Sequence, residues 1–395
     1  MLVGRTGEPP SIGGDHNPVM AGVRTSLRRS APALLIFAAI RALGLVTLIL
    51  WSHAKGKDPH QLLSARWDSL WYVRVAEHGY DFTLTAPDGR VLSDMAFFPL
   101  LPWLEQGVSA ISPLGFADSG LLVSALASLF AAWAIFLIGD LLHGRRVGIT
   151  LVALWGMLPV GIVQSMAYSE SLFVALSAWS LYWVLRQRWV AAGILASPAG
   201  LTRPVGLAVV AALWVAAACQ LARRNGDWRA AANRRMVIGA VLAPLGCAGY
   251  VVWVGLERGS LFGYLDVQAE WGNGFDGGVA FAGFILDRLT GPAFLAGAGL
   301  LIGVAVAAWA YYLCVKQRQP AALLVYCGIV VGLALCASGY FGSKPRLLMP
   351  AFPLLLPPAV WVARARVGVI VAVLSAVSVG SAVYGAFWLN GSGPP

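Results

Sequence analysis

PALLIFAAIRALGLVTLILW, residues 32–51, is an apolar run interrupted by a single cation, Arg41. At the helical rise per residue it is long enough to cross the hydrocarbon core of a bilayer. It is too long for the apolar region of a cleaved signal, carries Arg41 and lacks a small-residue cleavage site, so it reads as a first membrane helix. Ten further apolar stretches follow, at about 119–142, 147–165, 169–185, 189–202, 205–222, 236–256, 292–315, 320–338, 347–363 and 367–389. The expected fold class is an all-α polytopic membrane protein of about eleven transmembrane helices, within a range of nine to twelve. Composition agrees. Of 395 residues, 58% are hydrophobic and only 12% charged, against about 25% charged in a soluble domain. Too little polar surface remains to cover such a chain in water, which excludes a soluble enzyme.

Charge sets the orientation. With the N-terminus inside, the segments 1–30, 143–147, 186–188, 223–235, 316–319 and 364–366 face the cytoplasm and hold 17 Lys and Arg against 4 acids, Asp140 at the adjoining helix end included. The outside connections hold 10 basic residues against 14 acids. This is the asymmetry of the positive-inside rule. The net charge of +10 is therefore a topology signal, and no nucleic-acid partner is expected. Residues 1–30 read as a disordered cytoplasmic leader, and 31–390 as one integral-membrane domain in the cell membrane. Two outside segments are long, 52–118 and 257–291, and loops of that length are usually functional. All five cysteines lie in apolar stretches, which speaks against a disulfide framework or a CxxC metal site.

Within the first outside loop, SARWDSLWYVRVAEHGY (64–80) has helical periodicity, with Trp67, Leu70, Trp71 and Val75 on one stripe and Gly79 as a stop. It is expected to lie flat in the outer interface as an amphipathic helix. With Ser64 as N-cap, Asp68 stands near the first turn, where the helix dipole favours the ionised carboxylate that a general base needs. Asp68 pairing with Arg66 or Arg74 at the surface is the alternative. A hydrophilic excursion, Asp81 to Asp94, then leads into the Pro-punctuated aromatic run MAFFPLLP (95–102).

RWDSLWYVRVAEHGY followed by AFFPLLP resembles the signature of the class V mannosyltransferases, which add the second mannose of the glycosylphosphatidylinositol core. Trp67-Asp68, Ala76-Glu77-His78-Gly79-Tyr80 and Ala96-Phe97-Phe98-Pro99 match its first three pieces. Tyr168-Ser169-Glu170-Ser171-Leu172-Phe173 and Thr202-Arg203-Pro204-Val205-Gly206 are similar to two later ones, in order. The resemblance implies a bacterial-type homologue of GT-C architecture that takes mannose from a polyprenyl-phosphate carrier, with Asp68 as the catalytic residue. The acid that the family carries shortly after Gly-Tyr is displaced here by the insertion 81–93, leaving Asp81 and Asp94 as alternatives.

The remaining candidates follow from chemistry. Glu170, at an outer helix end, either accepts hydrogen bonds from sugar hydroxyls or caps the next helix. Arg203 lies between short apolar stretches and needs an anion, a lipid phosphate or an internal carboxylate. Lys344 and Arg346 add two cations on the same face, as a phosphate clamp or as head-group anchors. Together with Arg66, Trp67, Trp71, Tyr72 and Asp94 these form the expected substrate-binding set. His53, His60 and His78 have no metal-ligand spacing, so neither metal nor other cofactor is expected. No Walker or GxGxxG signature points to a soluble nucleotide sugar. The expected function is transfer of a mannosyl or other hexosyl residue from a polyprenyl-phosphate donor to a lipid or glycan acceptor on the extracytoplasmic face, with Asp68 as general base and inversion at the sugar. The alternative is a transporter or flippase of a polyprenyl-linked sugar.

Charge segregation places His78, Gly89 and Tyr168 outside and Arg145, Asn225 and Gln317 inside. Single cysteines at these positions test the map. An impermeant thiol reagent in intact cells should label only the first group, and labelling at position 225 would reverse the topology.

Overall fold

A computed structural model describes residues 18–223 and 231–394. The first helix, α1 (Pro18–Ala54), begins before the apolar run, so 18–30 of the expected disordered leader are helical, while 1–17 lie outside the described residues. Two short helices follow, α2 (Pro59–Ser64) and α3 (Asp68–His78), then a hairpin of β1 (Thr83–Thr85) and β2 (Val91–Ser93), and α4 (Leu100–Ile111). The bundle continues through α5 (Phe116–His143), α6 (Arg145–Gly156), α7 (Glu170–Leu185), α8 (Trp189–Ala199), α9 (Leu207–Arg223), α10 (Ala231–Leu242) and α11 (Leu245–Glu257). The second long loop contains α12 (Gly263–Glu270) and α13 (Val279–Thr290). The chain closes with α14 (Phe294–Lys316), α15 (Ala321–Cys336), α16 (Lys344–Leu348), α17 (Leu356–Val362) and α18 (Val367–Leu389).

This is an integral multi-pass membrane architecture, with α5 at its centre against α1, α6 and α7, and α18 along α1. Phe136, Trp155, Phe173, Tyr326 and Phe352 are buried between these helices. Where α8 crosses α10, a Cβ on Gly193 would collide with the Gly239 backbone. Without a hydrophobic force between helices in lipid, such close approach supplies the packing.

The expected count of eleven full spans is not reproduced among the described residues: six helices there are long and apolar enough to cross a membrane, or seven if the bent pair at 341–362 is one span, and three apolar helices are shorter. Hydropathy reads stretches 147–165 and 347–363 as continuous, but proline interrupts both. Between Gly156 and the 3₁₀ turn Gly161–Ser165 lies Pro159, and between α16 and α17 lie Pro350 and Pro353. Backbone freed in this way must be re-satisfied inside the bundle. Arg41 donates to the carbonyls of Gly156 and Gly161, and Ser381 of α18 donates to that of Leu158 at 2.7 Å. At the second break, the Trp155 indole donates to the Met349 carbonyl at 3.3 Å, and the Tyr326 hydroxyl to Pro350 at 3.1 Å.

The segments assigned outside meet at one end of the bundle. Arg66 donates to the carbonyls of Leu389 and Gly391, both at 3.0 Å, and Lys57 to Asn390 at 2.5 Å. Two segments assigned inside meet at the other end, where Arg29 pairs with Asp140 at 2.5 Å and Arg145 reaches the Arg29 carbonyl at 3.3 Å. Of the proposed reporters, His78, Gly89, Arg145 and Gln317 are exposed, Tyr168 is buried and therefore a poor labelling site, and Asn225 lies outside the described residues. The cysteines are unpaired, with Cys219 exposed rather than in the core.

One acid of the first loop is internal. Glu105 of α4 is fully buried against Gly120 of α5, and neither carboxyl oxygen has a hydrogen-bond partner. Burial pushes its pKa up to about 9. An unfolded chain would release this proton near the ordinary 4.5, so stability should fall as pH rises from that value toward 9. Glu105→Gln should raise the unfolding temperature at pH 8 and flatten its pH dependence in detergent-solubilised protein. An unchanged pH profile would mean that the carboxyl is ionised.

Candidate active site

The site begins at the junction of α2 and α3. Ser64 closes α2 instead of capping the next helix, and Trp67 takes that position, making Asp68 the first residue of α3. The chain turns through a positive φ of 54° at Trp67, rare for a bulky residue. Neighbouring contacts hold this turn. The Arg66 guanidinium lies over the Trp67 ring at 4.0 Å, and Arg66 N–H donates to the Ser69 hydroxyl at 2.9 Å. Arg66 thus has both terminal nitrogens on the backbone at the end of α18, where it fastens the start of α3 to that helix. Gly79 stops α3 as expected, with φ of 81°. The buried face differs from the expected stripe. Ser69, Tyr72, Val75 and Ala76 face inward, while Leu70 is exposed, because the side of α3 against α4 and α5 is set by tertiary contact.

Four charges from four segments form a chain. The Asp68 carboxylate accepts from Arg346 Nη1 at 2.8 Å. Arg346 Nε lies 3.3 Å from Glu170 Oε1, and the same oxygen pairs with Arg203. Glu170 opens α7, Arg203 precedes the 3₁₀ turn Pro204–Gly206, and Arg346 is carried on α16, in the first arm of the bent pair. Side-chain exposure is 2% for Glu170 and 8% for Arg346, against 25% for Asp68. Arg203's two alternatives are thereby narrowed: its partner here is an internal carboxylate. Glu170 is engaged by two guanidiniums and is more than a helix cap.

Tyrosines line the chain. The Arg346 guanidinium lies 5.1 Å from the Tyr168 ring, the Tyr168 hydroxyl is 3.4 Å from the Asp68 N–H, and the Tyr168 carbonyl accepts from Ser124 at 2.7 Å. Tyr72 and Ser169 share a hydroxyl hydrogen bond of 2.8 Å, and burial raises the Tyr72 pKa, keeping it a neutral donor. Beside them Trp71 stacks on Phe97 at 5.4 Å and meets Trp271 edge-on at 4.9 Å, with Phe82 at 5.7 Å. Trp271 comes from the second long loop and donates to the Ser93 carbonyl at 2.9 Å, joining the two loops.

Two expected site residues stand apart. Asp94 is buried and accepts from the Phe82 N–H at 3.0 Å, locking the end of the hairpin that the insertion forms. Burial raises its pKa, partly offset by that bond. Lys344 is buried between the rings of Phe281 and Phe341, 5.4 Å from each, and donates to the Ala337 carbonyl, away from the charge chain. Among the described residues no group of three or more His, Cys, Asp and Glu side chains gathers to hold a metal. Sequence reading missed Tyr168 and Phe97 as contributors although both stand in quoted motifs. It had no signal for Trp271 beyond the length of its loop.

No family model matches the chain. Among solved structures, it is similar to ArnT from Cupriavidus metallidurans bound to undecaprenyl phosphate, at a TM-score of 0.54 and 14% identity over 88% of this chain and 63% of that one. It is also similar to the Archaeoglobus fulgidus oligosaccharyltransferase in the apo form, at 0.50 and 14% over 90% and 55%. The chain shares its fold with both. The resemblance drawn from the motifs is borne out in sequence as well. GPI alpha-1,6-mannosyltransferase 2 of Rattus norvegicus is 33% identical over 156 residues, and that of Mus musculus 33% over 153. These matches take in 37% and 36% of this chain and 30% and 29% of the relatives, so the similarity spans about a third of their length. The charge chain joins three of the family-like motifs, through Asp68, Glu170 and Arg203, to an arginine beyond them.

Removing the shared carboxylate would leave two buried guanidiniums without their common anion, a loss of about 3–5 kcal/mol for such a pair. Glu170→Gln should therefore lower the chemical-denaturation stability of purified protein by that order. Stability equal to wild type would show that the arginines find other anions.

Proposed function

We propose that this chain is a membrane glycosyltransferase that moves a mannosyl or other hexosyl residue from a polyprenyl-phosphate donor to a hydroxyl of a lipid or glycan acceptor on the extracytoplasmic face. The observation that carries the reading is a partly exposed carboxylate, Asp68, beside an arginine whose neighbours include a second arginine. The fold, the similarity to mannosyltransferases and the undecaprenyl phosphate in the ArnT structure support it.

In this reading Asp68 accepts the proton of the acceptor hydroxyl as its oxygen attacks C1, and the C1–oxygen bond to phosphate breaks on the opposite face, with inversion. The phosphate gains negative charge as that bond breaks. Cations that follow this charge stabilise the transition state more than the ground state. Arg346 and Arg203 are placed for this, and an arginine fork suits phosphate better than an ammonium does. The step is written without a metal, so turnover should persist in chelator. Trp71, Phe97 and Trp271 offer an aromatic wall to the apolar faces of a sugar. A flippase would hold its ionisable groups near the midplane in repeated halves, whereas these sit among the loops and helix ends at one end of the bundle.

With purified protein and polyprenyl-phosphate mannose, Asp68→Asn should lose roughly 10²- to 10⁴-fold in turnover, as loss of a general base does. Arg203→Lys and Arg346→Lys should both slow turnover. Wild-type rates for Asp68→Asn would overturn the base assignment, and unchanged rates for both lysine variants would place the phosphate elsewhere. Mass spectrometry of lipids and envelope glycans from cells with and without the gene identifies the acceptor by its missing hexose.

A further inference from the structure

The chain Arg203, Glu170, Arg346, Asp68 holds two positive and two negative side chains, so it is balanced before any substrate arrives. A donor phosphodiester brings another negative charge and competes for guanidiniums that already face carboxylates through Arg203 Nη1 and through Arg346 Nε and Nη1. Of the two carboxylates, one is the easier to displace. Glu170 sits between both arginines with a side-chain exposure of 2%, and stripping it would strand a charge in the interior. Asp68 holds Arg346 alone, is 25% exposed, and stands at the start of α3, where the helix dipole supports a lone carboxylate.

We propose that the donor phosphate takes Arg346 away from Asp68, so that Asp68 becomes free to act as base only when the donor is seated, while Glu170 keeps Arg346 in position throughout. This rests on the transferase reading above. Binding is then ordered, with the donor first, and acceptor or water meeting an empty site encounters a carboxylate already engaged. As the acceptor proton passes to Asp68, the electron pair of the C1–oxygen bond passes to the phosphate. Asp68 becomes neutral while the phosphate becomes more negative, so both changes hold Arg346 on the phosphate until the lipid product and the proton leave. Glu170 is thus a positioning residue, and Arg346 is the element that changes partners.

The test is saturable binding of undecaprenyl phosphate to purified full-length protein in nanodiscs. Competition makes the unusual prediction that losing the carboxylate improves binding. Asp68→Asn and Asp68→Ala should each bind about tenfold more tightly than wild type, within the usual range of coupling between sites. In an Arg346→Ala background, which should bind more weakly, Asp68→Asn should bring no gain, because the partner competed for is absent. Unchanged or weaker binding by both Asp68 variants, with wild-type binding intact, overturns the exchange and leaves the transferase reading standing. An equal gain in both backgrounds also overturns it, since that marks a general charge effect. No saturable binding by any form, wild type included, overturns the lipid-phosphate reading and the exchange with it.

Discussion

A single buried carboxylate, that of Glu170, fixes where three distant parts of the chain must lie. Its Oε1 is shared by Arg203 and Arg346, and Arg346 passes the interaction on to Asp68. Isolated charges in so apolar a setting are prohibitive, whereas alternating ones stabilise each other strongly because little water screens them. The start of α7, the extended residue before the 3₁₀ turn at 204, the α16 segment and the start of α3 are therefore brought to one point, and any arrangement that separates them strands a charge.

Reaching that point requires broken helices. Arg346 lies before a bend of 69° between 341–348 and 352–362, and Glu170 follows the irregular stretch after α6. Each break frees backbone groups in a place without water, and each is repaired by side chains from other helices: Arg41 from α1, Trp155 from α6, Tyr326 from α15 and Ser381 from α18. Arg41, the lone cation of the first apolar run, thus has its partners in the backbone of a broken helix.

The loops form a second layer over this charge chain. The insertion 81–93 closes into a hairpin in which Ala86 N–H donates to the Arg90 carbonyl at 2.8 Å. Its end is fastened by Asp94, and the second long loop is fastened to it by Trp271. Tyr250 adds another tie, its hydroxyl donating to the carbonyls of Met95 and Phe97 at 2.9 Å each. The aromatic wall beside Asp68 is consequently built from two loops that are remote in sequence.

Much of the candidate site was legible in the chain. Lipid as solvent follows from composition, and charge segregation brings the candidate site to one face. Asp68, Glu170 and Arg203 stand in short motifs whose residue types suit carboxylate and phosphate chemistry, and Arg346 is an exceptional cation among apolar neighbours. Local pattern carries such information because burying a charge in lipid is costly enough to mark its position. Pairing is different. That Arg203 meets Glu170 instead of a lipid phosphate, that Arg66 grips the end of α18, that Lys344 turns to the Ala337 carbonyl and that Asp94 serves the hairpin are outcomes of which long-range contact satisfies each group best. The number of full spans was likewise decided by tertiary structure, since hydropathy sums apolar content across a proline while only packed neighbours supply the hydrogen bonds that let the helix break there.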